Sequence, residues 1–169
     1  MLTHEHLREI LDYCPVTGIF RWKVKRCGRA MPGQITGALN SDGYKQIFLG
    51  GKHYKCHRLA WFYMTGEWPK NQIDHIDGNR GNNAFSNLRE ATNSQNQMNR
   101  SMAANNKSGV KGVCWYKSTQ KWRAKIKFQG KETIRYFQTI EEASQWLDSM
   151  RNILHGDFAS DGIRSRGIA

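Results

Sequence analysis

A carboxylate and an imidazole stand next to each other near the middle of the 169-residue chain, at Asp74 and His75, and two asparagines, Asn87 and Asn96, follow them. Carboxylate and amide oxygens are hard ligands that suit Mg²⁺ or Mn²⁺. A histidine beside such a metal can act as a general base towards water, because its pKa lies near the working pH. The residues alone leave a structural role open, since aspartate readily caps turns and histidine often bonds a backbone carbonyl.

Four consecutive segments around these residues predict the order strand, loop, strand and helix. They are Ile73–Asp77, Gly78–Asn83, Asn87–Thr92 and Asn93–Met102. The helix opens on a capping box, in which Thr92 is followed three residues later by Gln95. Because successive side chains of a strand point to opposite faces, Asp74 and His75 share a site only if the strand is irregular or lies at a sheet edge, or if the substrate spans both faces.

The region before the Asp74–His75 pair predicts a mixture of short helices and strands. These are a helix over Leu2–Tyr13, a strand over Gly18–Trp22, a loop over Arg26–Gly37, a hairpin over Gly43–Cys56 and a helix over His57–Gly66. The hairpin turns at Gly50 and Gly51, because paired glycines supply the positive φ that tight turns need. Gly66 ends the second helix for the same conformational reason.

The region after the pair predicts three strands and one helix. A polar linker, Ala103–Gly109, precedes strands over Gly112–Lys117, Lys121–Phe128 and Thr133–Phe137 and a helix between Thr139 and Gly156. That helix opens on a second capping box, in which Thr139 is followed three residues later by Glu142. The tail Ala159–Ala169 has no periodic pattern and is predicted to be disordered. The predicted organisation is therefore an N-terminal α/β extension with a hairpin (1–56), the module with the Asp74–His75 pair (57–102), a linker (103–109), a sheet-and-helix module (110–158) and the tail (159–169).

The chain is strongly basic, with 26 Lys and Arg against 14 Asp and Glu and a net charge of +12. Residues 105–137 alone hold nine basic and one acidic residue. Charge concentrated in this way indicates a polyanionic partner, usually nucleic acid. A generally solvated basic surface is the alternative interpretation.

The hydropathy, the N-terminal residues and the cysteine spacing argue against a membrane protein, a secreted protein and a zinc-binding module. The mean hydropathy is −0.73, and no apolar run approaches the ~20 residues that a membrane span requires. The first six residues lack the basic and apolar regions of a secretory signal, so we expect no membrane partner. None of the four cysteines forms a C-x-x-C pair, so we expect reduced thiols and no structural zinc.

Cations and apolar residues alternate between Lys121 and Phe128. One face carries Lys121, Arg123, Lys125 and Lys127, and the other carries Trp122, Ala124, Ile126 and Phe128. Like charges along one strand repel, and phosphates would relieve that repulsion if the sheet lay in a DNA groove. An exposed face kept soluble by lysines is the alternative.

The segment over residues 105–158 also resembles the AP2-type DNA-binding domain. The matching pieces are Ser108–Val113, Lys121–Ile126, Gly130-Lys131 and Tyr136–Ala143. The resemblance implies a three-stranded antiparallel sheet on one helix, with the sheet in the major groove. The DNA contacts that the resemblance implies are Lys111, Lys117, Arg123, Lys125 and Arg135. The alternating strand adds Lys127 as a further candidate contact. Arg135-Tyr136 replaces the usual aliphatic residue and glycine, so base preferences do not transfer.

A second group of motifs lies within residues 43–100. These are His57–Ala60, Ile73–Asn79, Asn82-Asn83, Asn87–Arg89 and Asn93–Asn99. In order and spacing they resemble the HNH endonuclease family, and most of all its phage and intron-encoded homing endonucleases. The resemblance implies a ββα-metal finger, so the predicted fold class is α+β, with this finger and a small AP2-like sheet packed on one helix.

The HNH resemblance also implies roles for single residues. His75 is the general base, Asn87 orients the loop and the base, and Asp74 and Asn96 are metal ligands. Asn96 replaces the final histidine, which favours Mg²⁺, with Mn²⁺ as an alternative, over zinc. The remaining candidates are Arg80 and Arg89 as phosphate contacts, His57 as a weaker candidate that otherwise packs beneath the site, and Asp77, Asn79 and Asn83 as loop-shaping residues.

These observations predict a metal-dependent endonuclease that hydrolyses phosphodiester bonds in double-stranded DNA. With one finger per chain, a monomer or weak dimer would nick one strand per monomer. The expected location is the cytoplasm of a bacterial or phage-infected cell. Two alternatives stay open: a non-catalytic, sequence-specific DNA-binding regulator, and an RNA-binding or structural protein.

Overall fold

A computed structural model of the chain describes residues 2–26, 28, 30–100, 102–103 and 105–162. The chain divides into two compact units, Met1–Ala91 and Thr92–Ala169, and each is described by itself. Most of the tail whose disorder the sequence predicts, residues 163–169, lies outside the described residues. Within the described part of the chain, no helix is long and apolar enough to cross a membrane.

In its described residues, the first unit contains two α-helices and three small antiparallel sheets. Its helices are α1 (His4–Ile10) and α2 (Cys56–Thr65), and a short 3₁₀ helix covers Phe85–Asn87. Its strands are β1 (Leu11–Cys14), β2 (Ile19–Trp22), β3 (Ile35–Thr36), β4 (Ala38–Leu39), β5 (Lys45–Leu49), β6 (Lys52–Lys55), β7 (Gln72–His75) and β8 (Leu88–Ala91). The sheets run β1-β2-β3, β4-β5-β6 and β7-β8.

Two predictions about the first unit were wrong in part. The helix predicted over Leu2–Tyr13 ends at Ile10, and the chain continues into β1. Leu11 and Tyr13 are buried at a spacing of two residues because β1 pairs with β2. The loop predicted over Arg26–Gly37 contains β3, which also pairs with β2.

The predicted glycine-dependent turns are confirmed. Gly50 and Gly51 connect β5 to β6 with φ values of 54° and 80°. Gly66 ends α2 at φ 78°, and its backbone N–H bonds the Phe62 carbonyl. The ability of glycine to adopt positive φ therefore places these turns where the sequence predicted them.

One hydrophobic core joins the N-terminal elements to the β7–β8 hairpin. Its buried members come from both helices and from five of the strands and include Leu7, Phe20, Ile47, Leu59, Ile73 and Leu88. The boundary predicted between residues 56 and 57 thus falls inside one core. The subdivision of the chain into modules stays a prediction.

The second unit contains α3 (Asn93–Met98), β9 (Val113–Tyr116), β10 (Lys121–Phe128), β11 (Lys131–Phe137) and α4 (Ile140–His155). The three strands form an antiparallel sheet in the order β11-β10-β9. Both predicted capping boxes are present, at Thr92 and Thr139. Helix α3 is shorter than predicted, because it ends at Met98 rather than Met102.

Helix α4 packs on one face of this sheet, around a second hydrophobic core. The buried residues of that core are Val113, Ala124, Ile126, Ala143 and Leu147. The alternation predicted for β10 is confirmed between residues 124 and 127, where Lys125 and Lys127 are exposed. The chain is thus a mixed α/β protein with small antiparallel sheets.

Candidate functional site

Asp74 and His75 are the last two residues of β7, and both side chains are buried, with 6% and 4% exposed. Among the residues that the structure describes, β7 and β8 form a two-stranded sheet, so both are edge strands. The Gly78 N–H bonds the His75 carbonyl at 2.8 Å, so the chain turns directly after the strand. The pair therefore lies where an edge strand enters a loop.

His75 is held by the side chain of Asn83. Its Nε2 lies 3.1 Å from the Asn83 Oδ1, and Asn83 is only 1% exposed. Burial lowers the pKa of His75 below its ordinary value, and the hydrogen bond with Asn83 only partly opposes this effect. The imidazole is therefore neutral near pH 7, which is the form that can accept a proton.

Two aromatic rings surround His75. The His57 ring lies edge-to-face with it, at a centroid separation of 5.1 Å, and the Tyr44 ring lies 6.1 Å away. Burial and the neighbouring His75 lower the pKa of His57 to about 3, so His57 is also neutral. His57 thus packs against the predicted base. Nothing in the sequence pattern indicated Tyr44.

Asn87 holds the loop that follows β7. Its Nδ2 donates to the Asp77 Oδ1 and to the Asn82 carbonyl, each at 2.9 Å. Its Oδ1 accepts from the Asp77 backbone N–H at 3.0 Å. Asn87 thus holds the loop after β7, whereas the His75 ring is bonded by the side chain of Asn83. The sequence had indicated Asn83 only as a loop-shaping residue.

Two cations lie over the Tyr44 ring. The Arg80 guanidinium is 4.9 Å from the ring centroid, and the Lys55 Nζ is 4.4 Å from it. Arg80 also donates to the Asp42 carbonyl at 2.7 Å. Because Tyr44 borders His75, these cations place positive charge close to the predicted base, where a phosphate group would be attracted.

Arg89 forms an ion pair with Asp74. Its Nε and Nη2 donate to the Asp74 Oδ2 at 3.0 and 2.9 Å, and the two side chains are 17% and 6% exposed. Arg89 was predicted as a phosphate contact, and the structure instead pairs it with the predicted metal ligand. The physical reason is that a buried carboxylate requires a compensating cation.

The donor chemistry of Asp74 fits a hard divalent cation, because it offers a buried carboxylate that already attracts a positive group. Asn96 lies on α3 in the second unit and is half-buried, and its role as a ligand stays a prediction. In the described part of the chain, no cluster of three or more His, Cys, Asp or Glu side chains is arranged to hold a metal ion. A site of one carboxylate and one amide would not form such a cluster.

Three predicted DNA contacts lie together on the face of the second unit's sheet that points away from α4. They are Arg123, Lys125 and Lys127 of β10. The Arg123 guanidinium lies 5.3 Å from the Tyr116 ring centroid. Lys125 donates to the Glu132 carboxylate at 2.7 Å, so one acidic residue partly relieves the predicted repulsion. Lys117 is exposed in the turn that follows β9.

Two other predicted contacts are oriented differently. Arg135 pairs with Ala124 across the sheet and therefore points to the α4 side, where its guanidinium lies 5.7 Å from the Trp146 ring centroid. The Lys111 ammonium donates to the carbonyls of Met98 and Ser160, at 2.7 and 3.1 Å. Burial, followed by the nearby Arg151, lowers the pKa of Lys111 to about 8. Neither orientation could be derived from the sequence alone.

Comparisons with known proteins identify the class. The model of the HNH endonuclease family described as HNH_3 matches residues 54–98. Protein 3.8 of Escherichia phage T7 is 37% identical over 117 residues, which cover 69% of this chain and 94% of that protein. An uncharacterized HNH endonuclease of Acanthamoeba polyphaga mimivirus is 31% identical over 153 residues, which cover 89% of this chain and 71% of the relative. The chain belongs to the HNH endonuclease family, which confirms the HNH resemblance, whereas the AP2-like resemblance of residues 105–158 stays a prediction.

A solved structure of the HNH homing endonuclease I-HmuI, which concerns DNA binding and cleavage by that enzyme, is also similar to this chain. The two sequences are 25% identical, the match covers 75% of this chain and 72% of the I-HmuI chain, and the TM-score is 0.39.

Proposed function

We propose that the chain is a divalent-metal-dependent endonuclease that hydrolyses phosphodiester bonds in duplex DNA. The observation that carries the proposal is a buried imidazole, His75, adjacent to a buried carboxylate, Asp74, at the end of an edge strand. Membership of the HNH endonuclease family supports this reading of the pair.

In the proposed reaction, the neutral His75 accepts a proton from a water molecule that attacks the phosphorus in line. The bond from phosphorus to the leaving 3′ oxygen breaks and this oxygen takes up a proton from solvent, so the products carry a 5′-phosphate and a 3′-hydroxyl. Asp74 and Asn96 would hold Mg²⁺ or Mn²⁺, which supplies positive charge at the phosphate and the leaving oxygen. Asn87 keeps the loop after β7 in place through its bonds to Asp77 and Asn82.

Cations on this chain would bind the duplex. Arg80, near the His75 site, would contact a backbone phosphate. In the second unit, Arg123, Lys125 and Lys127 would track the backbone, with Lys117 at the end of the same sheet. The antiparallel sheet with one helix behind it supports an AP2-like, groove-binding arrangement of this unit.

One such site per chain would nick one strand, and a double-strand break would need a second chain or a second binding event. We accordingly propose a homing-endonuclease-like enzyme that acts as a monomer or weak dimer. The phage relative supports a location in the cytoplasm of a bacterial or phage-infected cell.

A non-catalytic DNA-binding regulator is the second candidate. It is favoured by the separate core of the second unit, because a cationic sheet with its own core can bind DNA without the His75 site. The two candidates make different predictions about supercoiled DNA.

The test is a supercoiled-plasmid assay with and without Mg²⁺, in which the protein should convert plasmid to the nicked form only with the metal. His75→Ala should abolish nicking and retain binding, because it removes the proton acceptor and no cation. His53→Ala is the matched control, since His53 is an exposed histidine of the same unit. Binding without nicking by the parent protein would favour the regulator, and nicking by His75→Ala would remove His75 from its role.

A further inference from the structure

Three contacts hold the backbone around Asn83 against the β1–β2 hairpin. The Tyr13 hydroxyl donates to the Asn83 carbonyl at 2.7 Å, and the Phe85 N–H donates to the Pro15 carbonyl at 2.8 Å. Gly18 in the hairpin turn lies so close that a Cβ there would sit 2.2 Å from the Asn83 carbonyl carbon. The N-terminal hairpin therefore fixes the position of the Asn83 peptide.

Both polar atoms of the Asn83 side chain form hydrogen bonds. Its Nδ2 donates to the Gly81 carbonyl at 3.3 Å, so its Oδ1 is the atom directed at the His75 Nε2. An amide oxygen only accepts hydrogen bonds, so the His75 Nε2 must carry a hydrogen. A neutral imidazole has one N–H, so the lone pair of His75 is on Nδ1.

We propose that Asn83, held by Tyr13 and the Gly18 turn, is a positioning residue that fixes the orientation and the tautomer of His75. The inference rests on the proposed function, in which His75 accepts a proton, and it identifies Nδ1 as the accepting atom. It also gives the N-terminal hairpin a role: the hairpin holds Asn83, and Asn83 holds the base.

Nitrogen NMR of the metal-free protein tests the hydrogen bond without any cleavage. In a long-range ¹H–¹⁵N spectrum above the pKa of His75, the parent should show a protonated Nε2 and an unprotonated Nδ1. Asn83→Asp retains an acceptor and should keep this pattern, with an Nε2 proton protected from exchange with water. Asn83→Leu removes the acceptor and should lose that protection. A parent spectrum with the proton on Nδ1 would overturn the proposal.

Single-turnover cleavage of an oligonucleotide duplex tests the consequence. Asn83→Leu should lower the rate of the chemical step about 100-fold, which is within the usual contribution of a general base, while duplex affinity is unchanged. Asn83→Asp should recover part of that rate. Equal losses in the two variants would mean that only the bond to Gly81 matters and would contradict the proposal. Asn71→Leu is the control, because Asn71 is an exposed asparagine of the same unit.

Tyr13→Phe gives a second route if Asn83→Leu does not fold. It removes only the hydroxyl that holds the Asn83 carbonyl, and the ring keeps its place in the core. Cleavage should fall by a smaller factor with affinity unchanged, and an unchanged rate would remove the hairpin from the proposal. If the parent does not cleave DNA at all, the proposed function fails, whereas the tautomer spectrum still decides whether Asn83 orients His75.

Discussion

At the residue scale, the Asp74–Arg89 ion pair determines the charge of the candidate site. An isolated buried carboxylate is costly, so Arg89 compensates Asp74 while no metal is bound. A divalent cation would have to compete with this guanidinium for the same carboxylate. Arg89 is thus the ion-pair partner of the proposed metal ligand Asp74, and its contact with a DNA phosphate stays a prediction.

Arg89→Met should destabilise the protein by about 3 kcal/mol, because it leaves the buried Asp74 carboxylate without its cation. Urea unfolding in the absence of divalent metal measures this loss. The double variant Asp74→Asn with Arg89→Met should recover most of it, since both charges are then gone. Additive losses in the double variant would show that the two side chains do not depend on each other.

At the element scale, the turn of the β1–β2 hairpin packs directly against the loop that carries Asn83. The Gly18 turn has φ 69° and lies against the backbone of residues 83 and 84, so this position tolerates neither a side chain nor a change of conformation. Gly50, in the β5–β6 turn, has a similar φ of 54° but no atom within 4 Å of a built Cβ. Alanine substitutions at these two glycines therefore separate the conformational cost of a side chain from its steric cost.

Gly50→Ala should cost about 1 kcal/mol, the usual penalty for a left-handed alanine. Gly18→Ala should cost clearly more, because the new methyl group overlaps the Asn83 backbone, and it should also slow cleavage by displacing Asn83. Urea unfolding and the plasmid assay together check both effects. Equal losses of stability in the two variants would mean that the hairpin does not press on the loop.

At the scale of the whole molecule, the net charge of +12 should dominate the affinity for DNA. The described structure separates cations on the open face of the second unit's sheet from cations engaged elsewhere. Lys125 and Lys127 belong to the first group, whereas Arg135 lies on the α4 side. Among the cations of this sheet, only the first group should contribute to the salt dependence of binding.

A plot of log affinity against log salt concentration should have a slope near −5, which corresponds to about six phosphates neutralised at roughly −0.9 each. Lys125→Ala combined with Lys127→Ala should reduce the magnitude of the slope by about 2. Arg135→Ala should leave it unchanged. A slope near zero for the parent protein, or an equal effect of Arg135→Ala, would contradict this division of the charges.

The sequence by itself determined the local elements and the class of the protein. Both capping boxes, the Gly50-Gly51 and Gly66 turns and the alternation along β10 depend on residues that are neighbours in the chain. The order of the Asp74–His75 pair and the asparagines that follow it likewise indicated the HNH family. The physical reason is that these features need only short-range propensity and spacing.

Tertiary structure decided which side chains meet. Leu11 and Tyr13 fit a helix or a strand by their hydrophobicity, and pairing with β2 selected the strand. The hydrogen bond between His75 and Asn83 and the orientation of Arg135 depend on loop closure and on strand register, respectively. Contacts of this kind come from the burial of groups that are distant in the chain, and burial is a property of the packed molecule rather than of any segment.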